Sequence, residues 1–362
     1  MSVSPAFIKT LADYKQAIDD DIAVYTTHIR SVTAEQYGPY AMLEVDAFLD
    51  ILGRGGKRIR GALVIAGYEM CGGQDRAMIL QAARALEMLH AYLLIYDDVQ
   101  DRSPIRRGKP SAHKLLAAYH RKHHLRGDAE HAGESLAITA ALAGAHAAQV
   151  VLANLNADPQ LRLNAISITN RSLAITAHGQ TYDVMNELVD TPALVDVERT
   201  LEWKTAQYSF VNPLHVGMVL AGAGCDVTDA ITPYALHVGK AFQIIDDILG
   251  IFGNTQELGK SPLDDIREGK GTVLSVYALE HAVAADRTFL RACLGNADLT
   301  QEAFERCKRI VESSGARAHA QALAGKEAAA ATQALQAGKQ LWSEAGTVFL
   351  EGLTAYLAKR SS

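Results

Sequence analysis

Two stretches of this 362-residue chain carry an apolar helical pattern into carboxylates. The first is Glu87-Met88-Leu89-His90-Ala91-Tyr92-Leu93-Leu94-Ile95-Tyr96-Asp97-Asp98-Val99-Gln100-Asp101. It contains no Gly or Pro, and its Leu, Met, Ala and Glu favour helix. On a helix Asp97 and Asp101 share a face one turn apart, and His90 lies two turns below Asp97. Acids gathered at the mouth of an apolar shaft cannot all stay ionised unless a cation joins them. Carboxylate oxygens suit Mg²⁺, which binds through one or two carboxylates plus substrate phosphates. The second stretch, Phe242-Gln243-Ile244-Ile245-Asp246-Asp247-Ile248-Leu249-Gly250, repeats the pattern. Two such motifs can face each other across one cavity and hold a shared magnesium cluster. Either motif alone is equally well read as a helix end with a solvated Asp pair.

Basic residues supply the other half of a diphosphate chemistry. In Gly56-Lys57-Arg58-Ile59-Arg60-Gly61, Lys57 and Arg60 are three apart and can point one way from a helix's first turn. Lysine as a point charge and arginine as a fork are a common diphosphate pair. Arg106 and Arg107 follow the first acidic motif by a few residues, where they could grip phosphate at the same mouth. Lys204-Thr205 sits in an otherwise apolar segment, where a buried polar role and a snorkelling lysine are equally open. Gly259-Lys260 and Gly269-Lys270-Gly271 follow the second acidic motif and read as a phosphate-holding loop. Gln180 and Asp183 are one turn apart and either face the cavity or cap and cross-link helices.

The elements that must position these groups read as helices. Residues 6–30, 46–52, 135–154 and 161–182 carry helical patterns, and 202–217 forms a long segment with Pro213 inside it. Residues 275–360 are Ala-rich helices without a reactive constellation. The His-rich stretch 117–133, with His120, His123 and His124, reads as a solvated loop rather than a metal site. No alternating strand pattern of any length occurs. The fold class expected is all-α: one large helical bundle around a central cavity, with no linker composition to divide 1–362 into domains.

Composition narrows the function. A net charge of −6 argues against a nucleic-acid binder. The four cysteines match neither a disulfide framework nor a zinc set, so a reducing cytoplasm is expected. The start lacks a signal-peptide pattern. The longest weakly polar stretch, Leu136 to Leu155, reads as a buried core helix rather than a membrane span.

With these motifs assembled, the chain resembles the trans-isoprenyl diphosphate synthases, or polyprenyl synthetases, over roughly residues 25 to 350. Gly-Gly-Lys-Arg-Ile-Arg (55–60), Asp-Asp-x-x-Asp (97–101), Arg-Arg-Gly-Lys-Pro (106–110), Lys-Thr (204–205), Phe-Gln-x-x-Asp-Asp (242–247) and two downstream lysines occur in the family's order. Six motifs in order are specific where any one would be weak. The resemblance implies the isoprenoid synthase fold and a homodimer. It implies that Lys57, Arg60, His90 and Arg107 hold isopentenyl diphosphate. Arg106, Lys204, Thr205, Gln243, Lys260 and Lys270 would serve the allylic diphosphate. Asp97, Asp98 and Asp101 would bind two Mg²⁺ ions, and Asp246, with Asp247, a third. The family's catalytic step would rest on the acids and Lys204.

The resemblance also implies product length. An aromatic five residues before the first Asp acts as a floor, which is Tyr92 here, beside the non-aromatic Leu93. Geranylgeranyl diphosphate (C20) is the expected product, with farnesyl diphosphate (C15) next. Gly250 stands where the family commonly has a third Asp, Tyr96 where His is common, and Ala140-Ala141 where Gly-Asp is frequent. Two other readings compete: a class I terpene cyclase, which needs no second diphosphate site, and a non-catalytic partner subunit of another synthase.

Overall fold

Helices built on apolar residues at helical spacing form nearly all of the described chain. The computed structural model describes residues 4–253 and 262–360. Helices α1 (Pro5–Gln36), α2 (Gly38–Gly53), α3 (Ile59–Met70) and α4 (Arg76–Gln100) lead into a two-stranded hairpin, β1 (Ile105–Arg106) and β2 (Lys109–Pro110). Then come α5 (Ala112–Lys122), α6 (Ala129–Ala153), α7 (Pro159–Leu188) and α8 (Leu194–Arg199). A π-helical segment, Thr200–Val211, runs directly into α9 (Asn212–Leu220), followed by α10 (Cys225–Phe252). The short α11 (Asp264–Glu268), α12 (Val273–His281), α13 (Ala284–Cys293), α14 (Gln301–Ser313), α15 (Ala316–Ala337) and α16 (Glu344–Arg360) complete the bundle.

One contiguous apolar cluster runs from Phe7 on α1 to Leu357 on α16. α4 is central to it. Asp75 caps its start by accepting the Met78 amide at 2.9 Å. Ile79, Ala82, Ala83, Leu86, Leu89 and Ile95 are then buried along its length. Each large member contributes about 2 kcal/mol of burial. α4 packs on α6 and α3, and α10 packs on α15 and the π-helical segment.

The all-α expectation holds, with differences of detail. The hairpin was not foreseen because its strands are two residues each. Its loop is Arg107-Gly108, both at positive φ, as a tight two-residue turn requires. α2 begins at Gly38 rather than Asp46. Residues 117–133 are not one loop. Leu115, Leu116, Ala117 and Ala118 extend α5 to Lys122, and Asp128 caps α6 by accepting the Glu130 amide at 2.8 Å. His120 is buried there, its Nε2 3.0 Å from the Arg126 carbonyl.

The reading of 136–155 as a buried core helix is also corrected. α4 and α6 are both long and apolar enough to cross a membrane, but 61% of the α4 window is buried and only 33% of the α6 window. Ile138, Leu142 and Val150 of α6 are exposed.

Candidate active site

The ends of α3, α4, α7 and α10, the hairpin and the π-helical segment enclose a cavity of about 450 Å³. Small-molecule sites fall in this size range. Asp97 reaches it from α4, and Asp246 and Asp247 from α10. The two acidic motifs therefore share one hollow. Lys57, Arg60, His90, Arg106, Arg107, Lys204, Thr205, Gln243 and Lys270 line it too, as do Leu93, Leu94, Thr176 and Phe242. Lys260 lies outside the described residues.

One wall is cationic. Arg60 donates to Ser209 Oγ at 2.7 Å and lies 3.2 Å from His90 Nε2, with its guanidinium over the Tyr208 ring. Tyr208 OH is 2.7 Å from His90 Nδ1. Arg60 Nε is buried and has no hydrogen-bond partner. Burial, with Arg60 and Arg107 beside it, holds His90 well below the usual histidine range, so the ring is neutral. Arg107 donates to the Gly55 carbonyl. Burial, then Arg58 and Arg60, lowers Arg107 to about 10. A crowd of buried positive charge of this kind favours an anion.

A second group of lining residues interleaves acids and bases. Lys204 Nζ bonds Asp97 Oδ1 at 3.1 Å and also Asp183. Arg106 reaches Asp98 Oδ1 at 2.7 Å and Asp97 Oδ2 at 3.3 Å. Lys270 meets Asp101 Oδ2 at 3.1 Å. Burial alone would raise Asp97; Lys204, Lys270 and Arg106 more than reverse it and hold this carboxyl far below its ordinary range. Burial raises Asp98 to about 6 against the pull of Arg106, and burial with Asp97 raises Asp101 to about 6. Thr205 donates to Gln243 Oε1 at 2.9 Å, and Gln243 donates to Asp247 Oδ1 at 2.8 Å. Burial raises Asp247 to about 8, with Asp265 and Asp246 adding to it.

Local structure explains how these side chains are aimed. Arg54 donates to the carbonyls of Arg106 at 2.8 Å and Pro110 at 2.7 Å, which pins the hairpin to the end of α2. Arg58, buried in the same basic stretch, is structural. It bonds Asp19 at 2.8 Å, Glu87 at 3.1 Å and the Leu52 carbonyl at 2.8 Å. The π-helical turn, a form often found at functional sites, sets Lys204, Thr205 and Tyr208 on the cavity. It is pressed closely from both sides. A Cβ at Gly179 of α7 would overlap the Lys204 backbone, and one at Gly239 of α10 would lie 2.6 Å from Ala206 Cα.

Not every expected residue reaches the cavity. Asp98 and Asp101 do not line it. Successive helical residues turn by about 100°, so Asp98 points away from Asp97 and is capped by Arg106, while Lys270 covers Asp101. Tyr92 does not line it either; its ring meets Tyr96 edge-on at 5.1 Å, and Leu93 takes the inward position. Among the described residues no three His, Cys, Asp or Glu side chains stand together as a ready metal site; Lys204, Arg106 and Lys270 pair with Asp97, Asp98 and Asp101 instead.

The donors nevertheless suit a hard cation. Asp97, Asp246 and Asp247 offer oxygen only, and Asp98 Oδ2 is buried without a hydrogen-bond partner. Tyr208 and Ser209 were missed in the sequence because nothing local marks them. Asp183 proves to hold Lys204.

Comparison with known proteins agrees with this geometry. Residues 44–311 match the polyprenyl synthetase family. The chain is 33% identical over 270 residues to the geranylgeranyl diphosphate synthase of Saccharolobus solfataricus, covering 74% of this chain and 75% of that one. It is 32% identical over 253 residues to the enzyme of that name from Sulfolobus acidocaldarius, covering 68% and 70%. Among solved structures it resembles a geranylgeranyl pyrophosphate synthase from Corynebacterium glutamicum, complexed with isoprenyl diphosphate and magnesium. That likeness has a TM-score of 0.90 at 27% identity and covers 97% of this chain and 99% of that one.

Proposed function

We infer that this chain, which belongs to the polyprenyl synthetase family, is a prenyltransferase that joins isopentenyl diphosphate to an allylic prenyl diphosphate, releasing diphosphate and a proton. The observation that carries this is one cavity lined by a cationic cluster, by interleaved acids and bases, and by the apolar Leu93, Leu94 and Phe242. A terpene cyclase has no need of the separate cationic wall. A non-catalytic subunit has no need of both acidic motifs in one hollow.

Lys57, Arg60, His90 and Arg107 hold the diphosphate of isopentenyl diphosphate, and Arg60's unpartnered Nε–H is one donor awaiting it. Arg106, Lys204, Thr205, Gln243 and Lys270 serve the allylic diphosphate, and Lys260 is assigned with them from the sequence alone. Asp97, Asp246 and Asp247 would hold Mg²⁺ directly; Asp98 and Asp101, which Arg106 and Lys270 neutralise in the structure, would complete the acidic set. Three Mg²⁺ ions per site is our reading of the two motifs. When bound, Mg²⁺ supplies positive charge that makes the allylic diphosphate a better leaving group.

The residues do the rest. As the allylic C–O bond breaks, the electron pair leaves with the diphosphate, which Lys204 and Arg106 steady electrostatically. The allylic cation forms against Leu93, Leu94 and Phe242, which exclude water and so prevent its hydrolysis. The double bond of isopentenyl diphosphate, held on the cationic wall, supplies the electrons of the new C–C bond. The resulting tertiary cation loses a proton to the departing diphosphate, and the double bond re-forms.

We propose a C20 product, geranylgeranyl diphosphate, with C15 next. We further propose that 1–362 forms one catalytic domain, that it works in the cytoplasm, where its four thiols stay free, and that it pairs as a homodimer through the exposed apolar face of α6. Calorimetric titration tests the division of labour. Isopentenyl diphosphate is expected to bind with or without Mg²⁺, and an unreactive allylic thiodiphosphate only with it. Metal-independent binding of both ligands would overturn the assignment of the acids.

A further inference from the structure

The second acidic motif ends in Gly250, and the space where a side chain would stand there is occupied. A Cβ built on Gly250 would overlap Asp265 Oδ2. Asp265 belongs to α11, outside either motif. It is 8% exposed and lines the same cavity as Asp246 and Asp247. We propose that Asp265 supplies, from the following element, the third carboxylate that α10 lacks at Gly250, so that Asp246, Asp247 and Asp265 together form the metal-binding face of the second motif. This rests on the prenyltransferase reading above.

Three further observations support it. Asp246 and Asp247 lie four and three residues before Gly250 on the same helix, so they share the face that Asp265 meets. The turn that carries Asp265 is fixed: its carbonyl accepts the Lys270 amide at 3.0 Å, and Gly269 closes the turn at φ +77°. Ser103, just past the first motif, donates to Glu268 at 3.1 Å and ties this turn to the end of α4. One short turn thus presents an acid and Lys270 to the cavity from a fixed place. A side chain at 250 and the carboxylate of Asp265 are mutually exclusive. Adding an Asp at 250 would therefore displace the existing acid rather than improve the site.

The test is Mg²⁺ titration by calorimetry with geranyl thiodiphosphate present, on the full chain and three variants. Asp265→Asn is expected to weaken Mg²⁺ binding about tenfold or more, the scale of loss typical when groups supporting a metal site are removed. Its melting temperature without Mg²⁺ and its affinity for isopentenyl diphosphate should stay as in the wild type. Gly250→Asp should also weaken Mg²⁺ binding. The pair Gly250→Asp with Asp265→Ala should recover most of the loss, which a merely structural role for Asp265 would not allow. Wild-type Mg²⁺ affinity in Asp265→Asn, or no recovery in the double variant, would overturn the compensation. A wild-type chain that binds no Mg²⁺ with the thiodiphosphate would overturn the functional reading itself, and the compensation with it.

Discussion

Lys204 lies between two acids from different helices, Asp97 and Asp183, and its charge survives burial only because of them. The same logic runs through Arg106 and Lys270: each cation neutralises a buried acid, Asp98 and Asp101 respectively. Asp247 has hydrogen-bond help from Gln243 but no cation bonded to it among the contacts described, and its carboxyl rises to about 8. Glu187, buried and near Asp183 and Asp101, also rises to about 8. Both lie above the values of an unfolded chain, so from their unfolded values up to about pH 8 the folded state holds protons that the unfolded state has released. Stability therefore falls as pH rises through that window. Below 6.5 the buried neutral histidines His90, His113 and His215 act in the opposite sense. The clean interval is pH 6.5 to 8. Thermal melts in chelator should show declining stability there, and Asp247→Asn should flatten the decline. A wild-type chain whose melting point is level or rises over this interval would refute the charge assignment.

At the scale of elements, the π-helical segment and the inner face of α4 decide what the site can do. The motif residues of α4 and α10 were legible in the sequence, because apolar period and paired acids are local signals. The π-helical turn was not, since an extra residue per turn leaves no mark in a short apolar segment. Nor was the direction in which Asp98 and Tyr92 point, which depends on rotation about a helix whose neighbours were unknown. Gly179 allows α7 to touch the Lys204 backbone. Gly179→Ala is expected to cost on the order of tenfold in kcat/KM, because it shifts Lys204 by a fraction of an ångström, while shifting the melting temperature by only a few degrees. Unchanged kinetics would show that the close approach does not set the lysine. Leu93, not Tyr92, lines the cavity. Leu93→Ala should move the product profile towards longer chains, and Tyr92→Ala should move it less. Chromatography of the dephosphorylated products would read both, and a larger shift for Tyr92→Ala would restore it as the floor.

At the scale of the molecule, one apolar cluster joins the first helix to the last, so the carboxylates are carried on a continuous scaffold. The helical class, the two facing acid motifs and the basic wall were readable from spacing and charge. The paired state is expected only from resemblance, and the interface proposed for it is the exposed apolar face of α6. Leu142 is 50% and Val150 58% exposed on α6, with Leu163 of α7 at 58%. An exposed apolar patch of this kind commonly marks an interface. Leu142→Glu is expected to shift the chain from dimer to monomer in sedimentation velocity. An unaltered dimer would place the interface elsewhere.

The most direct test of the whole account is turnover with Mg²⁺, isotopically labelled isopentenyl diphosphate and farnesyl diphosphate, followed by dephosphorylation and chromatography. The account predicts labelled geranylgeraniol from the wild type, none when Mg²⁺ or either substrate is omitted, and a loss on the order of a hundredfold or more in Asp97→Asn. A hydrocarbon formed without isopentenyl diphosphate, or full activity in Asp97→Asn, would contradict it.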